Sequence, residues 1–480
     1  MTPSANRSHV LLDRTDDGSP DDARRDWRDL SLATVGALAG GGLGAVLVVG
    51  VTTVIKEMLA VVSRQATGLV VVVPVVGVAA ATWVLHGIGR GTGVQRLPPP
   101  DRRVRRLPRA GRRWSLPWLL QAWRTFPADV ARADLTADVV ASAGREERFP
   151  WRQAPIRALA IVITVGFGAP MGTEAPAAHL GVASGAWMAN TKPRLRAFTR
   201  AAAVAGGAAG VSALMGVALV GTAFILELGR RRRVPLRPTR VAAALIGGLL
   251  GWALNSWWQL DLIRLVTPTV APDSVIQLLR AAAYVGVVSG FITALTGWAI
   301  YQARGWRASP QARLGIGAGA MTAVALALLV VADRRAAVGP GGGAILWAEG
   351  PAGLAAPAGV LLLVAALRAA ATTAAVAAGG CGGTFVPFLA VGDLAGRSFA
   401  PHLGISGDLA GASGAASGIA GGYRLPWTAV AMVVGIGGPA LAVTTSLAAV
   451  FMAAVVGLGT SLGLDRMGRW RRSRGLAPIT

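Results

Sequence analysis

The sequence predicts an all-α integral membrane protein. Three observations carry that prediction: an apolar composition, uncharged runs long enough to cross a bilayer, and one motif that occurs twice at half-chain spacing. Of 480 residues, 53% are hydrophobic and 15% charged, and the mean hydropathy is +0.53. A soluble domain carries about 25% charged residues, so lipid is the fitting solvent for most of this chain.

The runs Leu32–Ile55, Ala66–Gly89 and Val241–Leu260 contain no charged residue. Each matches the roughly 20 residues that a helix needs to span the hydrocarbon. Further apolar stretches fall at 155–170, 201–226, 281–303, 314–332, 353–367, 369–392 and 425–464. Several are too short or too glycine-rich to cross alone. Full spans mixed with half-spanning helices are therefore expected, with any broken backbone packed on protein or lining a cavity.

The formal net charge is +24, and the placement of the charges decides what it means. Arginines concentrate at 90–113, 230–240 and 466–474, with smaller groups at 192–200 and 304–313. All lie between apolar runs or after the last one. That is the positive-inside pattern of a cell-membrane protein with both termini in the cytoplasm, and it argues against nucleic acid as a partner. The charge-poor loops at 256–275 and 333–351 then fall outside, with Trp257 and Trp258 in an outer aromatic belt and Lys56 and Glu57 near the outer end of the first span.

Residues 1–30 are polar, lack the early apolar core of a signal peptide and are read as a flexible cytoplasmic tail. Residues 31–467 form the membrane domain, interrupted by an Arg/Pro-rich cytoplasmic insert at 96–127, and 468–480 are a short basic tail. The single Cys381 excludes an intramolecular disulfide, and the four histidines make no metal-ligand spacing. No compact set of paired carboxylates, His–Asp or metal ligands suggests an enzyme, and no cofactor is expected.

The repeat is the most informative feature. Residues 172–188 and 383–399 both obey G-T-x-x-P-x4-G-x3-G, at a constant offset of 211 residues (Gly172 to Gly383). Two homologous halves follow, as in transporters built from membrane repeats. In each copy a Gly-Thr turn leads to a proline, which is favoured in a first helical turn. Free N–H groups and the positive end of the dipole make such a helix start attractive to an anion. Two starts aimed at one point would cradle a dehydrated anion. Ordinary helix starts with small residues for close packing are the plain alternative.

These segments resemble the CLC family of chloride channels and chloride/proton antiporters. Gly172-Thr173-Glu174-Ala175-Pro176 is similar to the family's G-(K/R)-E-G-P, and Gly383-Thr384-Phe385-Val386-Pro387 matches G-x-F-x-P. Gly91-Thr92-Gly93-Val94-Gln95 resembles G-S-G-I-P, with Gln95 in place of the proline. Arg424-Leu425-Pro426-Trp427-Thr428 is similar to R-x-P-x-T. The resemblance covers roughly residues 30–470. It implies a homodimer with one anion pore per subunit, two inverted halves, many tilted or partial helices, and helix starts meeting at a midplane anion site. The family's regulatory nucleotide-binding modules are expected to be absent.

The resemblance also implies roles. Glu174 takes the place of the outer gate, a carboxylate that occupies the anion path and leaves it on protonation; an N-terminal glutamate that merely complements the helix dipole is the alternative. Gly172, Ala175, Gly383, Thr384, Phe385 and Val386 would offer backbone donors to the anion, and Thr92 a hydroxyl. The inner-gate tyrosine has no counterpart in place; the matching stretch offers only Thr460 and Ser461, and Tyr423 is read as structural. At the end of Phe224-Ile225-Leu226-Glu227-Leu228, Glu227 aligns with a structural glutamate of the family. Leu228 then stands at the inner proton position, where it cannot carry a proton. That is the pattern of a passive channel. A one-residue shift would make Glu227 the proton acceptor of a chloride/proton antiporter, and pairing with Arg230 or Arg231 is a third possibility. Fluoride in place of chloride, or a non-transporting scaffold, also stays open.

Overall fold

The structure, a computed structural model, describes residues 20–92, 139, 142–149, 151–188, 195–231, 233–260, 274–306, 308–437 and 444–473. The described secondary-structure elements are all helices, with one isolated β-bridge between Gly172 and Gly383. The motif at Gly91–Gln95 lies mostly outside the described residues, and so do the 96–127 insert and residues 474–480.

Two long helices open the chain, α1 (Pro20–Arg64) and α2 (Thr67–Thr92). At 1.5 Å per residue α1 is roughly 65 Å long, twice the hydrocarbon thickness. It starts inside the segment read from sequence as a polar tail, and Lys56 and Glu57 fall within it rather than at its end. The first half continues with α3 (Ala154–Gly166), α4 (Glu174–Met188), α5 (Arg196–Met215), α6 (Ala218–Arg231) and α7 (Pro238–Trp258). The second half holds α8 (Val275–Gly305), α9 (Pro310–Val331), the short α10 (Arg334–Ala337), α11 (Gly342–Glu349) and α12 (Pro351–Leu354), then α13 (Ala358–Ala378), α14 (Phe385–Leu403), α15 (Gly407–Tyr423), α16 (Pro426–Gly437) and α17 (Thr444–Ser473).

Eight of the described helices are long and apolar enough to cross a membrane. The outward faces keep large apolar side chains such as Val330, Ile276 and Leu249 exposed, a surface suited to lipid. Trp257 and Trp258 are exposed at the end of α7 with their rings edge to face. Among the shorter helices, α4 and α14 start within the protein, at the buried Glu174 and Phe385. Near the ends of α8, α10 and α13, buried arginines satisfy free carbonyls. Arg313 donates to Ala377 O and Ala303 O, and Arg368 to Ala336 O and Gly339 O. Arg397 on α14 bonds three carboxylates, Asp393, Asp408 and Glu349, and so ties α14 to α15 and α11.

The repeat governs packing. In the first half α4 crosses α5 so closely that a Cβ on Gly181 would overlap Gly206 O, and one on Gly206 would overlap Gly181 O. In the second half Gly392 of α14 and Gly414 of α15 stand in the same reciprocal relation. Gly181 and Gly392 are equivalent positions of the motif. Backbone contact of this kind replaces side-chain burial as the attraction between helices in lipid. Gly185 shows the same closeness toward Ala202. Gly185→Ala is expected to cost about 2 kcal/mol of stability, because the neighbour is backbone and must shift. Thermal unfolding in detergent, read against the wild type, checks this.

Candidate functional site at the meeting of the two motifs

The two Gly-Thr turns meet each other. Gly172 N–H donates to Gly383 O and Gly383 N–H to Gly172 O, both at 2.7 Å. The residues that follow start α4 at Glu174 and α14 at Phe385. Each proline sits in the first turn, where no N–H is missed. The bridge therefore brings two helix starts together, each with unsatisfied donors and a positive end.

Glu174 uses that arrangement across the repeat. Its Oε1 accepts from Val386 N–H of α14 at 3.0 Å, so a carboxylate from one half caps the helix of the other. The side chain is buried, and Oε2 has no hydrogen-bond partner among the described residues. The carboxylate rests against Gly172, where a Cβ would overlap it.

Other expected residues fall as follows. Gly172, Gly383, Thr384, Phe385 and Val386 are all in this cluster, and Ala175 is the second residue of α4. Thr92 is the last residue of α2, and its side chain lies outside the described residues. Thr460 and Ser461 are a correction. The Thr460 hydroxyl donates to Val456 O within α17, and the Ser461 hydroxyl accepts from Arg424 Nε at 3.3 Å. α17 runs without a break to Ser473, so these residues are mid-helix and bonded elsewhere.

The hydroxyl that does reach the site belongs to Tyr423, the last residue of α15. Thr384 N–H donates to it at 3.2 Å, the Thr384 hydroxyl lies 3.1 Å away, and the Tyr423 ring stacks edge to face on Phe385 and Phe388. Sequence reasoning read Tyr423 as structural. The available signal was its place directly before the Arg424–Thr428 motif.

Glu227 is fixed at a second helix start. Its carboxylate accepts from Trp427 N–H at 3.2 Å, Thr428 N–H at 3.0 Å and the Thr428 hydroxyl at 2.7 Å. It thereby caps α16 and joins the two halves again. Leu228 is buried in the apolar core with Phe224 and Ile225. Among the described residues no group of three or more His, Cys, Asp or Glu side chains is placed to hold a metal ion.

A family model described as voltage gated chloride channel matches residues 118–458. Among solved structures, a CLC-type fluoride/proton antiporter aligns with a TM-score of 0.67 at 18% identity, covering 90% of this chain and 96% of that one. A slow cyanobacterial Cl−/H+ antiporter aligns equally well, at 0.67 and 18%, over 91% of this chain and 98% of that one. A eukaryotic CLC transporter gives 0.58 at 14% identity, over 92% and 72%. No curated protein sequence matches the chain. The match over most of the chain, on an all-helical fold whose two repeated motifs meet at one buried carboxylate, shows that this multi-pass membrane protein belongs to the voltage gated chloride channel family, the CLC proteins.

Proposed function

We propose that the chain conducts chloride along a path through the junction of α4 and α14, with the Glu174 carboxylate as its gate. One observation carries the reading: the Glu174 side chain occupies the donor site at the start of α14. A chloride drawn to the same N–H groups must displace it, and protonation would release it. Ala175, Gly383, Thr384 and Phe385 are the proposed neighbours of the anion, with the Tyr423 hydroxyl beside them in place of Thr460 or Ser461. Thr92 remains a proposed ligand by resemblance alone.

The proposed conduction is channel-like, with little or no proton coupling. Leu228 carries no proton, and the Glu227 carboxylate is engaged by three donors of α16. The protein is proposed to act as a homodimer in the cell membrane, with the arginine clusters and both termini on the cytoplasmic side. A second reading, anion/proton antiport with Glu227 as inner acceptor, draws support from the similar structures, two of which are described as antiporters. Fluoride is the alternative anion on the same ground.

Liposomes loaded with chloride and clamped by valinomycin and potassium separate these readings when chloride efflux and internal pH are followed together. Chloride efflux without stoichiometric proton movement is expected. Proton uptake against its gradient, driven by chloride, would move the assignment to the antiporter. Absence of chloride flux from folded protein beside a working control would sink the reading and turn attention to fluoride, then to a scaffold.

A further inference from the structure

A cavity of about 380 Å³ reaches the Gly-Thr-Glu motif and the start of α14 at its floor. Its floor is Thr173 and Val386, the residue before Glu174 and the residue whose N–H Glu174 accepts. Its walls come from the last turns of α1, the ends of α5 and α16, and the segment from α10 to α11. Thr173 is neutral, so the floor brings no charge of its own. Two of the lining side chains are charged, and both are cationic: Lys56 of α1 and Arg335 of α10.

The carboxylates nearest in sequence are turned to other tasks. Asp333 caps α10 through Ala336 N–H at 2.8 Å, and Glu57 is exposed; neither lines the cavity. Behind the wall, the fully buried Arg368 donates to Ala336 O and Gly339 O, both carbonyls of the lining segment or its edge, and its Nε has no partner. No carboxylate bonds Arg368 among the described residues. A cleft with low-dielectric walls and charge of one sign focuses its field and raises the local concentration of the opposite ion.

We propose that Lys56 and Arg335 form an anion-capture site that holds a hydrated small anion above the gate and feeds it to Glu174. The proposal rests on the conduction path given above and adds a second stop to it. The cavity is several times the volume of one water molecule, about 30 Å³ in the liquid, so the ion enters with part of its hydration shell and loses it only at the helix starts. Lys56 is half-buried and Arg335 exposed, which suits transient capture rather than tight binding.

The test uses the full chain in liposomes, with chloride varied on the cavity face and gluconate holding ionic strength constant. The double variant K56Q/R335Q is expected to raise the half-saturating chloride concentration about fivefold while leaving maximal flux unchanged. The conservative pair K56R/R335K is expected to keep wild-type behaviour. An unchanged half-saturating concentration in K56Q/R335Q would overturn the proposal. Chloride-35 line broadening on the detergent-solubilised protein supplies a readout that needs no flux. The double variant is expected to broaden the line less than wild type, and equal broadening would overturn the site. If wild type passes no chloride at all, the conduction reading falls, and the line-width comparison alone decides the capture site.

Discussion

Replacing Glu174 with Ala is expected to raise chloride flux at neutral pH about tenfold and to flatten its dependence on pH. The Glu174 carboxylate holds Val386 N–H at 3.0 Å, and a hydrogen bond to a charged group contributes about 1.5–3 kcal/mol. An anion bound for the same donors must overcome that term, and about 1.4 kcal/mol is a factor of ten. The sign for pH follows from the same bond. Protonation removes the negative charge that competes with chloride, so wild-type flux should rise as the medium is acidified. Glu174→Gln keeps the size of the side chain and cannot ionise, so its flux should be pH-independent as well. Proteoliposome efflux across a pH series measures both. Flux and pH response identical to wild type in both variants would refute Glu174 as the gate.

The second large effect belongs to Glu227, and it concerns stability. A glutamine there offers one acceptor oxygen and a donor amide to a site that holds three donors, from Trp427 N–H, Thr428 N–H and the Thr428 hydroxyl. Each buried donor left unsatisfied costs about 1–3 kcal/mol. Glu227→Gln is therefore expected to destabilise the protein by about 3 kcal/mol and to lower its thermal midpoint, with the ratio of protons to chloride unchanged. The antiporter reading expects the reverse: near-normal stability and proton coupling lost. Differential scanning fluorimetry and paired flux records on one preparation distinguish them.

Both predictions draw on residues that the sequence singled out, and the reason is physical. An ionisable side chain in an apolar stretch is costly, which makes Glu174 conspicuous in the sequence, and Glu227 is marked by the family resemblance of Phe224–Leu228. The duplicated Gly-Thr-x-x-Pro pattern was equally legible, because turn and proline chemistry is local. What the sequence could not supply was partnership at long range. That Gly172 bonds Gly383, or that Glu227 caps a helix 200 residues later, has no trace in local pattern. The partnership of Tyr423 with Thr384 is hidden for the same reason: its hydroxyl accepts from Thr384 N–H across a gap in sequence. Thr460 and Ser461 show the converse failure. Matching a short Gly/Thr/Ser stretch placed them at a helix start, whereas α17 continues through them and sends their hydroxyls elsewhere. The start of α1 at Pro20 was hidden by charge, since a helix that leaves the bilayer keeps its backbone bonds while its side chains turn polar.

The Gly172–Gly383 bridge also sets an order of events during synthesis. A ribosome adding 5–20 residues per second needs roughly 10–40 s to travel from one glycine to the other. Through that interval the first half lies in the bilayer with the amide and carbonyl of Gly172, and the carboxylate of Glu174, lacking the partners that α14 and its turn will bring. The junction of the two turns has no half-built form. A chain truncated between the two turns would carry the Glu174 carboxylate without the Val386 N–H that it accepts from, so quality control in the cell has a chemically distinct species to recognise: an intramembrane carboxylate still waiting for its partner.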